Sequence, residues 1–242
     1  AACSCGCQCS CAPRLSGALR RVKISIITGV QEEADAFLPG QYERVEQHGH
    51  LSVRFVALGA HEVAITCCGV GKVNAALAAT LLATLTHAEL LMIIGTAGKL
   101  SDISGDCFLL HEAVQGDFGA QRPQGFTHYT AGSWPIGPAS VEAFRAHPLP
   151  DVGLPRARIV TGDCFVECPD HSMRLRDGLS GDLVDMETGA LAQVAQRLGL
   201  PWAGIKATTD DANGESAGDF QANLLLAARR AAEAAERSIV LL

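Results

Sequence analysis

Short apolar runs rich in β-branched residues alternate along this chain with alanine-rich stretches of helical length, and that alternation constrains the fold most. "VKISIIT" (Val22–Thr28) reads as a buried first strand, ended by Gly29. "QEEADAF" then opens like a helix, with acids in the first turn where the helix dipole favours them. "SVRFVAL" and "EVAITCCG" read as a hairpin around "GAHE". A glycine-rich entry, "GVGKVN", leads into the long helical stretch "AALAATLLATL". "ELLMIIGTAG", "GDCFLLHEAV", "ARIVTGDCF" and "LPWAGIKATTD" read as further strands. "LSGDLVDMETGALAQVAQRLG" reads as a strand turning into a helix capped by Gly199, and "AGDFQANLLLAARRAAEAAERSIVLL" as a long terminal helix. Strands alternating with helices predict an α/β fold with a mainly parallel central sheet covered on both faces. Ligands of such sheets sit beyond the carboxyl ends of the strands, here after Thr28, Gly69, Ile94, Thr161, Val184 and Thr208.

Composition bounds the partners. With 242 residues, 48% of them hydrophobic, the chain can bury one full core, and residues 22–242 are expected to form a single domain. A formal net charge of -7 with no lysine-arginine cluster argues against nucleic acid, which needs concentrated positive charge. The most apolar region, Leu77 to Ile94, is interrupted by His87 and Glu89, so no membrane span is expected. Residues 1–21 form a cysteine-rich leader expected to be disordered and dispensable, since no periodic apolar pattern ties them to the core. Their run "CSCGCQCSC" could converge thiols on a soft metal, but no second ligand cluster has zinc spacing. The other five cysteines, in apolar stretches, read as thiols of a reducing, cytoplasmic setting. Residues Gln115–Leu154, rich in Gly, Pro and His, look like an insertion or lid.

Two nucleotide motifs fail on inspection. A phosphate-binding P-loop needs Gly where Thr66 stands and Ser or Thr where Val73 follows Lys72. A dinucleotide fingerprint needs a third glycine where Asn74 stands, so "GVGKVN" reads as a tight strand-to-helix turn. Neither metal-ligand spacing nor a Gly-x-Ser-x-Gly elbow occurs, and no cofactor or catalytic metal is expected.

What remains is a set of carboxylates at strand ends: Glu32 and Glu33, Asp185 and Glu187, Asp210 and Asp211. Any one of them alone is adequately explained as a helix cap. Three separate loops on one sheet edge, each bringing an acid beside Met186, Phe165 and Val166, need more explanation. Several acids and no metal ligands suit chemistry that develops positive charge. Glycosidic cleavage does so, with one acid for the leaving group and one base for water.

The segments "VKISIITGVQEEADAF", "CCGVGKVNAALAAT", "IIGTAGKL", "TGDCF", "LVDMETGALAQVAQRLGLP" and "IKATTDDAN" resemble, in order, the methylthioadenosine/S-adenosylhomocysteine nucleosidases of the nucleoside phosphorylase/hydrolase superfamily. The resemblance implies a three-layer sandwich around a mixed, partly barrel-like sheet, and release of adenine from a 5′-modified adenosine. It implies that Glu33 activates water and that Asp210 protonates the purine at N7. It further implies that Glu187 holds the ribose hydroxyls, that Met186 packs on the sugar, and that Thr96 lies near the water. Phe165 and Val166 match the segment that stacks on the base, and Lys206 matches loosely a basic residue before the "TTD" site. Asp185 is expected to support Glu187 or cap the helix. A homodimer or larger ring is expected, with the lid region departing from the family pattern. The phosphorylase branch carries cations where Ile93 and Glu33 stand here, so water is the expected nucleophile, with phosphorolysis or a non-catalytic nucleoside-binding role as alternatives.

Overall fold

A computed structural model describes residues 20–242, so the thiol run of positions 3–11 lies outside the described residues. In chain order the elements are β1 (Lys23–Thr28), α1 (Gln31–Ala36), β2 (Arg44–His48), β3 (Leu51–Leu58), β4 (His61–Cys67), α2 (Lys72–Thr86), β5 (Leu90–Lys99) and β6 (Cys107–Gln115). They continue with β7 (Gly119–Arg122), β8 (Gly125–His128), β9 (Phe144–Arg145), β10 (Arg156–Thr161), α3 (Pro169–Leu179), β11 (Leu183–Asp185), α4 (Thr188–Leu198), β12 (Trp202–Asp210) and α5 (Ser216–Val240).

The main sheet runs β11-β10-β6-β12-β5-β1-β4-β3-β2. Its centre, β4-β1-β5-β12, is parallel. The β12–β6, β3–β4 and β2–β3 pairs are antiparallel, which makes the sheet mixed. β11 also pairs with β5, antiparallel, through Leu183–Lys99 and Val184–Gly98. That extra pairing closes β5, β12, β6, β10 and β11 into a small barrel, and it draws the ends of β5, β11 and β12 together.

Side-chain alternation sorts the core into layers. On β1 and β5, Ile27, Leu91 and Ile93 face a cluster with Ala75, Ala78 and Leu82 of α2 and Leu191 of α4. Ile24, Ile26, Met92 and Ile94 face the other way, onto Ala231, Ala235 and Ile239 of α5. Alanines on the inward faces of α2 and α5 let these helices approach the sheet closely. The result is the three-layer α/β sandwich that the family resemblance implies, with helices on both faces of a mixed sheet.

Three features depart from the expectation. β2 is a mostly exposed, charged edge strand with no apolar alternation, the form that protects a sheet edge from pairing. α3 buries only Ser172, Leu175 and Leu179, too thin a stripe to stand out in sequence. Within Gln115–Leu154, β7 and β8 form a separate hairpin, and β9 pairs with β6. No helix among the described residues is long and apolar enough to cross a membrane.

Candidate active site

One cleft lies at the carboxyl ends of the strands, and all seven residues expected from the sequence line it: Glu33, Thr96, Phe165, Val166, Met186, Glu187 and Asp210. Among the described residues that line it, none is an arginine or a lysine, and none comes from the 115–154 segment. The segment expected to act as a lid therefore does not cover this cleft within the single chain.

Glu33 is buried at the first turn of α1. One oxygen, Oε2, accepts the amides of Gly29 (2.9 Å) and Val30 (3.2 Å), the backward reach typical of a helix-capping acid. The other, Oε1, accepts the Thr96 amide (2.7 Å) and the Thr96 hydroxyl (2.8 Å). Capping and positioning are thus done by the two oxygens of one carboxylate. Gly95 backs this group: a Cβ there would lie 2.5 Å from the Glu33 carboxyl carbon, and its φ of 148° is left to glycine. Glu32, its neighbour, points to solvent.

The pair in "VDMETG" divides its work. Asp185 accepts the Thr161 hydroxyl (2.6 Å), the Thr188 amide (3.0 Å) and the Thr188 hydroxyl, and it pairs with the Lys206 ammonium at 3.0 Å. It is the support and cap. Glu187 occupies the N-cap position of α4, yet its side chain makes no cap bond. It turns into the cleft, where Oε1 accepts the Gly71 amide at 3.0 Å. Burial and then the Asp185 charge push its carboxyl up to about 7, against the opposing pull of Lys206 and the Gly71 amide.

Lys206 is the residue that sequence reasoning undervalued. Only 1% of it is exposed. Burial works against its charge, but Asp185, Glu33 and Glu187 outweigh burial and hold the ammonium above the ordinary lysine value. It is the counter-ion of the acidic cluster. The only sequence signal was a lysine at an inward position of an otherwise apolar strand, "AGIKATT".

Asp210 ends β12 beyond a bulge: Thr208 pairs with Ala97 and Asp210 with Gly98, leaving Thr209 unpaired between them. The bulge aims Asp210 into the cleft. Its Oδ1 accepts the Ala212 amide (2.9 Å), and Oδ2 lies 2.8 Å from the Thr209 hydroxyl. Asp211 is exposed. Thr96, which holds Glu33, and Gly98, which faces Asp210, are two residues apart on β5, so both acids are anchored along one strand. Phe165 meets Phe220 of α5 edge-on at 6.0 Å, an apolar wall whose second ring sequence reasoning missed.

The weakened acidity of Glu187 carries a stability consequence. Between 4.5, the ordinary glutamate value, and about 7, the folded chain keeps a proton that the unfolded chain has released. Stability from this group is therefore complete below pH 4.5 and lost as pH rises through 7. Glu187→Gln is expected to raise the melting temperature at pH 8 by about 5 °C and at pH 5 by much less. Equal shifts at the two pH values in thermal melts would remove this account.

A hydrolytic or phosphorolytic cleft for a nucleoside, carved at the strand ends of such a sheet, is the mark of one class. The chain belongs to the phosphorylase superfamily, whose model matches residues 23–240. Within that superfamily it falls among the 5′-methylthioadenosine/S-adenosylhomocysteine nucleosidases. The enzyme of that name from Mycobacterium bovis is 30% identical over 229 residues, covering 82% of this chain and 89% of the relative. The S-adenosylhomocysteine nucleosidase of Streptococcus pyogenes, solved with 5-methylthiotubericidin, shares the fold with a TM-score of 0.80 at 24% identity, over 93% of this chain and 99% of that one. The nucleosidase from S. pneumoniae, solved with the transition-state inhibitor MT-ImmA, gives 0.78 at 25% identity, over 90% and 98%.

Proposed function

We propose that this protein hydrolyses the N-glycosidic bond of a 5′-modified adenosine, releasing adenine. The observation that carries the reading is a cleft with four carboxylates on its walls, Glu33, Asp185, Glu187 and Asp210, and no arginine or lysine among the described residues that line it. Among the described residues phosphate finds no cation on the cleft wall, and the buried Lys206 ammonium behind it is already paired with Asp185. The amides of Gly71 and Lys72 at the start of α2, the other natural phosphate site, already serve the carboxylates of Glu187 and Asp163. Water is the nucleophile that such a site accommodates.

In this reading Glu187 accepts the ribose hydroxyls and Met186 packs on the sugar. Phe165 and Val166 hold the base. Glu33, fixed by Gly29, Val30 and Thr96, takes the proton of the attacking water. Asp210 gives a proton to N7 as the bond to the anomeric carbon breaks, so that adenine leaves neutral. The buried acids also favour the oxocarbenium-like charge that develops on the sugar. Methylthioadenosine incubated with the protein is expected to yield adenine and free methylthioribose at a rate independent of added phosphate. A sugar 1-phosphate product would instead select phosphorolysis, and no turnover would select a binding role.

A homodimer is part of the same proposal. Val70 lines the cleft and is 47% exposed, and Val73 and Leu77 continue its apolar surface along α2 at 78% and 51% exposure. A second copy covering that face would also wall the open side of the cleft. Light scattering at micromolar concentration is expected to give a dimer, and a fully active monomer would end the idea. Among the described residues, the free thiols of Cys67, Cys68, Cys107, Cys164 and Cys168 support a cytoplasmic setting.

A further inference from the structure

The turn "GVGKVN" resembles a phosphate loop yet binds no phosphate in the reading above, and its lysine has another task. The Lys72 ammonium donates to Asp117 Oδ1 at 2.6 Å and to Gln115 Oε1 at 3.3 Å. The second oxygen of Asp117, Oδ2, accepts the Asp163 amide at 2.9 Å. Asp163 Oδ1 in turn accepts the Lys72 backbone amide at 2.7 Å, a helix cap supplied from 91 residues away. Gly71 is confined by this ring: its φ is 104°, and a Cβ there would sit 3.2 Å from Asp163 Oδ1. Three loops are thereby bolted together: 69–72 after β4, 115–117 after β6, and 162–166 after β10.

Both ends of the ring reach the cleft. Gly71, next to Lys72, donates its amide to Glu187. Asp163 directly precedes Cys164, Phe165 and Val166, which line the cleft wall. Gln115 extends the tie to Gln193 of α4, the helix that Glu187 opens, at 2.7 Å.

We infer that Lys72, Asp117 and Asp163 form a positioning clamp that sets the base-holding segment Phe165–Val166 and the sugar-holding Glu187 at a fixed spacing. None of the three is a cleft-lining residue, so they act through others and are not catalytic residues. The inference rests on the nucleosidase reading for the identity of the ligand. Its consequence is specific. Loosening the clamp weakens binding of the base and sugar together, while Glu33 and Asp210, held by contacts of their own, keep their geometry.

The test uses Lys72→Met, Asp117→Asn and Lys72→Arg in the full chain. For methylthioadenosine, KM in the first two is expected to rise about tenfold with kcat within about threefold, the signature of lost uniform binding. Adenine binding by calorimetry needs no turnover, and its Kd is expected to rise by a similar factor. Lys72→Arg, which can still pair with Asp117, is expected to recover most of both. Because the Lys72–Asp117 pair is partly exposed, at 20% and 35% for the two side chains, melting temperatures are expected to change little. Unchanged KM and adenine Kd in both Lys72→Met and Asp117→Asn would overturn the clamp, as would a loss confined to kcat. Adenine binding by the unaltered chain without any turnover would count against the nucleosidase reading alone.

Discussion

Asp210→Asn is expected to lower kcat by about 10²–10⁴-fold, the usual worth of a general acid, with KM changed much less. Adenine is a poor leaving group as an anion, and a proton delivered to N7 removes that obstacle. The bulge at Thr209 turns Asp210 into the cleft against Gly98, and bonds to Ala212 and Thr209 hold it there. Asparagine keeps the shape and can still accept the Ala212 amide, but it has no proton to give as an acid. Asp211→Asn is expected to have little effect, since Asp211 faces solvent. A carboxyl that donates to N7 can also accept from the 6-amino group, so adenosine derivatives are expected to react in preference to inosine derivatives. Steady-state kinetics on the two variants decides the matter: near-normal turnover in Asp210→Asn, or the larger loss in Asp211→Asn, assigns the acid elsewhere.

Lys206→Met is expected to produce the largest loss of stability. The substitution keeps most of the buried volume but leaves Asp185 buried without its counter-ion, with Glu33 and Glu187 nearby. Breaking one side of a buried ion pair costs about 3–5 kcal/mol, which in a chain of this size lowers the melting temperature by about 10 °C or more. Removing both partners together, as in Lys206→Met with Asp185→Leu, is expected to recover part of that loss, because no charge is then left unpaired. Lys206 also pulls the Glu187 carboxyl down. Its removal pushes Glu187 further up, so tight substrate binding, which needs the ionised carboxylate, is expected only at more alkaline pH. Denaturant melts and the pH dependence of KM test both halves. A single variant as stable as the parent would show that the ion pair contributes nothing net.

Asp185 and Glu187 illustrate how far a linear reading carries. Their place at a strand-to-helix junction marked them as cap or ligand clamp; in the structure Asp185 makes the cap contacts and Glu187 turns into the cleft. Which residue took which role depended on Thr161 and Lys206 beside Asp185, and on Gly71 beside Glu187, a partner 116 residues away. The elements legible in the chain were those with a strong period: β1, β5, β12, α2 and α5 bury regular stripes, and their alternation prescribes a sheet covered on both faces. β2 and α3 went unread because one is an edge and the other buries almost nothing apolar.

By itself the sequence determined the order of the strongly periodic strands and helices and the gathering of acids at strand ends. These follow from local periodicity and residue chemistry, which act over a few neighbours. Only the tertiary structure decided that β11 returns to β5 and closes the barrel, that a bulge re-aims Asp210, that Lys206 is the buried counter-ion, and that Lys72 bolts three loops together. Each of these depends on groups distant in the chain meeting within hydrogen-bond reach. Such meetings are set by packing of the whole core, and no local pattern records them.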